Sequence, residues 1–107
     1  MLAAEVQRHL AEVVQICRQE QIEYLSVFGS ATRDDFAPHS DIDLIVRFAP
    51  AQRVGFLRLL AIQRRFSQAF EGRPVDLHTW REIHPVIRDR VEEQLVPVFP
   101  PEDRHGL

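Results

Sequence analysis

A chain of 107 residues with 45% hydrophobic and 27% charged positions has the composition of one globular domain with room for a single core. Its net charge of −3 argues against the basic face of a general nucleic-acid binder, so no stable nucleic-acid contact is expected. No stretch approaches membrane-spanning length, and Glu5 with its polar neighbours stands where a signal peptide would need a basic start and an apolar run.

Val6, Leu10, Val13, Val14 and Cys17 recur at spacings of three and four, which predicts a helix over 2–19. Cys17 is the only cysteine. It lies on the apolar stripe and is expected in the core, and without a partner it points to a reducing, cytoplasmic setting and excludes a cysteine-built zinc site. Tyr24 to Phe28 read as a strand, ended by Gly29 and Ser30. Ser30 suits the N-cap of a short helical turn over 31–35, which Pro38 and His39 would break.

Ile42 to Phe48 form the second strand, with Ile42, Leu44, Val46 and Phe48 on one face and Asp41, Asp43, Ile45 and Arg47 on the other. After a loop over 49–53, the stripe Phe56, Leu59, Leu60, Gln63, Phe66 and Phe70 predicts a core-facing helix that Gly72 ends. "PVDLHT", from Pro74, is a third short strand in which Asp76 alternates with Val75 and Leu77. Pro85 opens a last helix carrying Ile87, Val91 and Leu95, and "VPVF" adds a last edge strand. The expected fold class is α/β (α+β): a small mixed sheet of three to four strands flanked by about four helices. It forms one domain over 1–99, with a loose tail over 100–107.

The second strand opens on an oddity, since Asp41 and Asp43 stand at the mouth of a run that otherwise reads as core. Two apart in a strand, they leave the same face with Cα atoms about 6.6 Å apart. Carboxylates this close repel unless a cation lies between them, and hard oxygen donors select magnesium or manganese. If the second strand runs antiparallel to the first and a helical crossover leads to a parallel third, Gly29 and Ser30 lie beside Asp41, and Asp76 stands next to Asp43. Such a triad suits two cations and in-line displacement at phosphorus. Gly29 admits close backbone approach, Ser30 opens a turn whose N–H groups suit an anion, and Arg33 reaches over the same seat. His78 shares the face of Asp76, although a histidine there is more commonly a plain polar strand residue.

All 13 basic residues are arginine, a bias that fits phosphate recognition but is read first as codon usage. The absence of lysine excludes a Walker-type phosphate loop and lysine-bound covalent intermediates.

The stretch "GSATRDDFAPHSDID", glycine-serine followed after ten residues by Asp-x-Asp, resembles the DNA polymerase β-like nucleotidyltransferase superfamily. With the third aspartate in "VDLHT" it resembles in particular the minimal nucleotidyltransferase (MNT) proteins, over nearly the whole chain. The resemblance implies phosphate binding at Gly29, Ser30 and Arg33, and two magnesium ions, or manganese, on Asp41 and Asp43. It also implies a third carboxylate, Asp76, that holds metal and activates the attacking hydroxyl. Asp34 departs from the pattern, which commonly has glycine after the arginine. MNT proteins of this size are typically antitoxins paired with a helical HEPN ribonuclease, which implies transfer of AMP from ATP to a tyrosine hydroxyl of that toxin. An antitoxin acting by binding alone, and a self-standing transferase for a small alcohol or an RNA end, stay open on the sequence, as does homo-oligomerisation.

Overall fold

The computed structural model describes residues 2–32 and 40–101. Helices α1 (Ala4–Gln7) and α2 (Leu10–Gln19) precede strand β1 (Ile22–Phe28), which runs into a 3₁₀ turn over Gly29–Thr32. Strand β2 (Ile42–Phe48), helix α3 (Phe56–Ala69) and strand β3 (Val75–Thr79) follow. After 3₁₀ turns at Trp80–Glu82 and Pro85–Ile87 come helix α4 (Arg88–Gln94) and strand β4 (Val96–Phe99). The four strands lie in the order β3-β2-β1-β4, with β1 antiparallel to both β2 and β4, and β2 parallel to β3. The mixed sheet and the strand directions expected from the sequence are therefore the ones found.

The main core lies between one face of the sheet and helices α1 to α3. Val6, Val13 and Cys17 from the first two helices, Leu25 and Val27 from β1, Ile42, Leu44 and Val46 from β2, and Ile62 and Phe66 from α3 are all buried there. Each large apolar side chain removed from water in this way contributes about 1.5–3 kcal/mol before chain entropy is set against it. Burial pushes the Cys17 thiol up to about 12, so it stays protonated and behaves as a small hydrophobe. A smaller cluster occupies the opposite face, where Ile45 packs with Ile83 and Val91 and with the half-buried Phe28, Trp80 and Leu95. It explains why β2 carries an apolar residue at 45 among polar neighbours.

The structure corrects several details. The helix predicted over 2–19 is broken at Arg8 and His9, where His9 turns out of helical geometry (φ −108°, ψ 6°) and sets its ring edge-on against Phe70. In α3 the buried face centres on Ile62, Phe66 and Ala69, so Phe56 and Leu60 fall at its rim and are exposed, Phe56 at 72%. Gln63 is at that rim for a reason: its carboxamide oxygen accepts the Leu77 N–H (3.0 Å), closing part of the open edge of β3. Pro85 opens a separate 3₁₀ turn, not α4, which leaves Ile87 exposed.

The α3 terminus is also more specific than its glycine foretells. The Gly72 N–H donates to the Ser67 carbonyl (2.8 Å) and the Glu71 N–H to the Gln68 carbonyl (3.1 Å), the pair of bonds of a Schellman motif. Glu71 itself takes the left-handed position (φ +59°), with Gly72 following at φ +85°.

Arginines do much of the surface bracing. Arg58 donates to the Glu20 carbonyl (2.9 Å) and to Gln52 (3.1 Å), Arg65 pairs with Glu20 (2.8 Å), and Arg88 donates to the Ile83 carbonyl (3.0 Å). Those guanidinium groups are engaged by the fold and do not form a phosphate-binding face.

Candidate functional site

The site is built where the first three strands meet. Antiparallel pairing sets Phe28, the last residue of β1, opposite Asp43. Parallel pairing sets Asp43 opposite Asp76 and, one pleat on, Ile45 opposite His78. Neighbouring strands lie about 4.8 Å apart and side chains alternate in direction, so Asp43, Asp76 and His78 emerge together on the face away from the main core. Each offers one ligating atom, and these atoms all lie within 4.8 Å of one another.

Immediately beyond Phe28 the chain turns at Gly29, whose φ of +74° is a left-handed conformation that glycine adopts without strain. A Cβ at this position would lie 2.7 Å from Asp43 Oδ2, so the missing side chain is what lets the turn close over the carboxylate. Ser30 lies inside the 3₁₀ turn and does not cap it, and the later part of the short turn expected over 31–35 falls outside the described residues. The turn is fastened at both ends: the Thr32 hydroxyl donates to the Gly29 carbonyl (2.7 Å), and the Ala3 N–H donates to the Ala31 carbonyl (3.0 Å).

The start of β2 is fixed independently. Ile42 N–H donates to the Pro74 carbonyl (3.0 Å), and Arg73 Nε donates to the Ser40 carbonyl (3.1 Å) while its guanidinium also pairs with Glu5. Arg73 thereby ties the N-terminal helix, the residue before Asp41 and the approach to β3 into one corner.

Asp41 itself precedes β2, is exposed, and stands outside the cluster of Asp43, Asp76 and His78. Its charge is still felt at Asp43. Burial first, then the Asp76 carboxylate, raise the Asp43 carboxyl above the usual carboxylate range; His78 opposes this and Asp41 adds to it. Arg33, expected over the phosphate seat, lies outside the described residues.

The donor set fits a divalent cation. Two carboxylates from adjacent strands and one imidazole converge, and among the described residues no arginine pairs with Asp43 or Asp76. A cation there would relieve the repulsion that raises Asp43. Oxygen donors of this kind suit magnesium and manganese.

A separate groove of about 790 Å³ opens at the far ends of β2 and β3, lined among others by Phe48, Phe56, Trp80, Arg47 and Arg81. None of the clustered residues lines it, and its size alone supplies no chemistry, so the convergent carboxylates mark the candidate site.

A model of the nucleotidyltransferase domain matches residues 10–98, a span that contains the Gly29 turn and all four residues Asp41, Asp43, Asp76 and His78. The chain belongs to the nucleotidyltransferase domain family. A candidate protein adenylyltransferase of Methanocaldococcus jannaschii is 29% identical over 88 residues, covering 82% of this chain and 91% of that protein. Among solved structures, a candidate minimal nucleotidyltransferase superposes with a TM-score of 0.74 at 24% identity, covering 91% of this chain and 96% of the other. A tri-AMPylated HEPN toxin from Shewanella oneidensis in complex with its MNT antitoxin gives 0.65 at 19% identity, covering 91% of this chain and 75% of that one. These structural likenesses establish a minimal nucleotidyltransferase fold. No helix of the described nucleotidyltransferase domain is long and apolar enough to cross a membrane.

His78, read from the sequence as more commonly a plain polar strand residue on the face of Asp76, is brought within reach of Asp43 by the register that pairs Asp43 with Asp76 and Ile45 with His78.

Proposed function

We propose that this nucleotidyltransferase is a magnesium-dependent protein adenylyltransferase and antitoxin, which transfers AMP from ATP to a tyrosine hydroxyl of a HEPN-type ribonuclease toxin. The observation that supports the reading is the packing of the Gly29 turn against Asp43, in register with Asp76, an arrangement suited to phosphates beside divalent cations. The choice of a protein acceptor draws on the name of the Methanocaldococcus relative and on the tri-AMPylated toxin of the Shewanella complex.

In this reading the backbone N–H groups of the Gly29–Ser30 turn and the Ser30 hydroxyl hold the triphosphate, with Arg33 neutralising part of its charge. Asp41, Asp43 and Asp76 hold the divalent cations, magnesium or manganese. Bound there, the cations supply charge neutralisation at the α-phosphate and the leaving pyrophosphate. Asp76 orients the attacking hydroxyl and accepts its proton as the new oxygen–phosphorus bond forms and the bond to pyrophosphate breaks. The buried, unpaired Cys17 accords with action in the cytoplasm.

The test is incubation with α-labelled ATP, magnesium and the HEPN partner protein, followed by detection of label on the partner. Transfer is expected, and Asp43→Asn and Asp76→Asn should each reduce it by about 100-fold or more. No label on the partner, or equal label with either variant, overturns the reading.

A further inference from the structure

We propose that His78 is a nitrogen ligand to the divalent cation held by Asp43 and Asp76, and that it biases this site toward manganese over magnesium. The inference rests on the cation-site part of the function proposed above, and concerns a residue to which the triad of aspartates gives no role.

Position comes first. His78 stands two residues after Asp76 on β3, so the two share a face, and the parallel register carries that face onto Asp43. A ring nitrogen and the two carboxylates fall within 4.8 Å of one another. Cis ligands around an ion with bonds of about 2.1 Å are roughly 3 Å apart and trans ligands about 4.2 Å, so modest side-chain rotation brings all three onto one ion. Asp41 stands outside this cluster, so the third donor atom beside Asp43 and Asp76 within it is that of His78.

The ring also has defined neighbours: Phe28 meets it edge-on with centroids 5.8 Å apart, and Glu82 Oε2 lies 3.9 Å from Nδ1, beyond hydrogen-bond distance. Glu82 is itself fixed by a capping box, its Oε1 accepting from the Thr79 hydroxyl (3.1 Å) and the Thr79 N–H (3.4 Å). Closing the gap from Glu82 to Nδ1 would give the hydrogen-bonded carboxylate–imidazole pair that orients a ligating ring and raises its basicity toward metal. "TWRE" at Thr79–Glu82 carries the Thr-x-x-Glu capping signal in the sequence.

Chemistry then decides the ion. Magnesium prefers oxygen donors and retains water, whereas imidazole suits first-row transition ions. A site of two carboxylates and one imidazole therefore gains affinity for manganese from His78 and little for magnesium.

The experiment is manganese titration of the full chain in nitrogen-free buffer, followed by electron paramagnetic resonance, with the free-ion signal giving affinity and echo-envelope modulation reporting any nitrogen on the ion. Wild type should show ¹⁴N modulation. In His78→Ala, with folding checked by circular dichroism, the modulation should vanish and manganese affinity fall by about tenfold or more, while magnesium affinity, read by competition, changes less than about twofold. Absence of the modulation in wild type, its persistence in His78→Ala, or equal losses for both ions overturns the inference. AMP transfer without nitrogen on manganese would leave the adenylyltransferase reading standing and remove this one; nitrogen-ligated manganese without transfer would do the reverse.

Discussion

The place where residue 29 would carry a side chain is filled by its neighbour across the sheet: a Cβ on Gly29 would sit 2.7 Å from Asp43 Oδ2. The contact joins the turn after β1 to the first cluster carboxylate, and it involves a left-handed backbone (φ +74°) at the same residue. Gly29→Ala meets the backbone penalty directly and pushes the Asp43 carboxylate aside. It should destabilise the protein by about 1–3 kcal/mol, lowering the melting temperature by several degrees, and should reduce nucleotidyl transfer by more than its loss of folded protein explains. Calorimetry with activity per folded molecule checks this; a variant that melts and turns over like wild type would contradict the role given to the contact.

Asp43 gives a prediction with a definite sign. Its folded-state pKa is raised above the unfolded value, chiefly by burial and by Asp76. Its contribution to stability is thus fully present below the unfolded pKa and is lost as pH rises through the folded pKa. At neutral pH, without divalent cations, the charged Asp43 opposes folding, so Asp43→Asn should raise the melting temperature, with the gain shrinking as pH falls toward about 4. Added magnesium or manganese should stabilise wild type more than this variant, since it offsets the same charge. Melting curves at several pH values, with and without cation, decide the matter; destabilisation by Asp43→Asn at neutral pH in chelator would refute it.

The α3 terminus offers a stability prediction away from the site. Glu71 occupies the left-handed position of the Schellman motif that glycine favours, and its carboxylate lies 3.9 Å from His9, a weak exposed contact. Glu71→Gly should stabilise the protein by about 0.5 kcal/mol, or about 2–4 °C in melting temperature, without altering transfer. Thermal melts and the labelled-ATP assay together check both halves, and a lower melting temperature would show that the lost contact or the freer unfolded chain outweighs the relieved strain.

The fold was legible where a residue's own neighbours dictate its state. The span Ile42–Phe48 follows from period-two alternation alone, and the end of α3 near Gly72 from glycine's tolerance of positive φ. The helical stripes were less so: periodicity says that a helix has an apolar face, but Phe56 and Leu60 of the expected stripe are exposed, while Ile62, Phe66, Ala69 and Phe70 are buried and Leu59 packs against the core. The same holds at residues 2–19, where an unbroken stripe conceals a break at His9, which leaves helical geometry and meets Phe70 edge-on.

By itself the sequence determined which chemistry the chain carries, because glycine-serine and paired aspartates at the ends of two apolar strands are residue choices that packing alone does not require. It also suggested the strand directions, since an antiparallel return followed by a helical crossover brings those acids together, and the strand pairing bears this out. Only the tertiary structure decided which side chains meet there. Strand register and the burial of Asp43 are properties of several segments at once, and they place Asp76 and His78 against Asp43 while leaving Asp41 exposed before the strand.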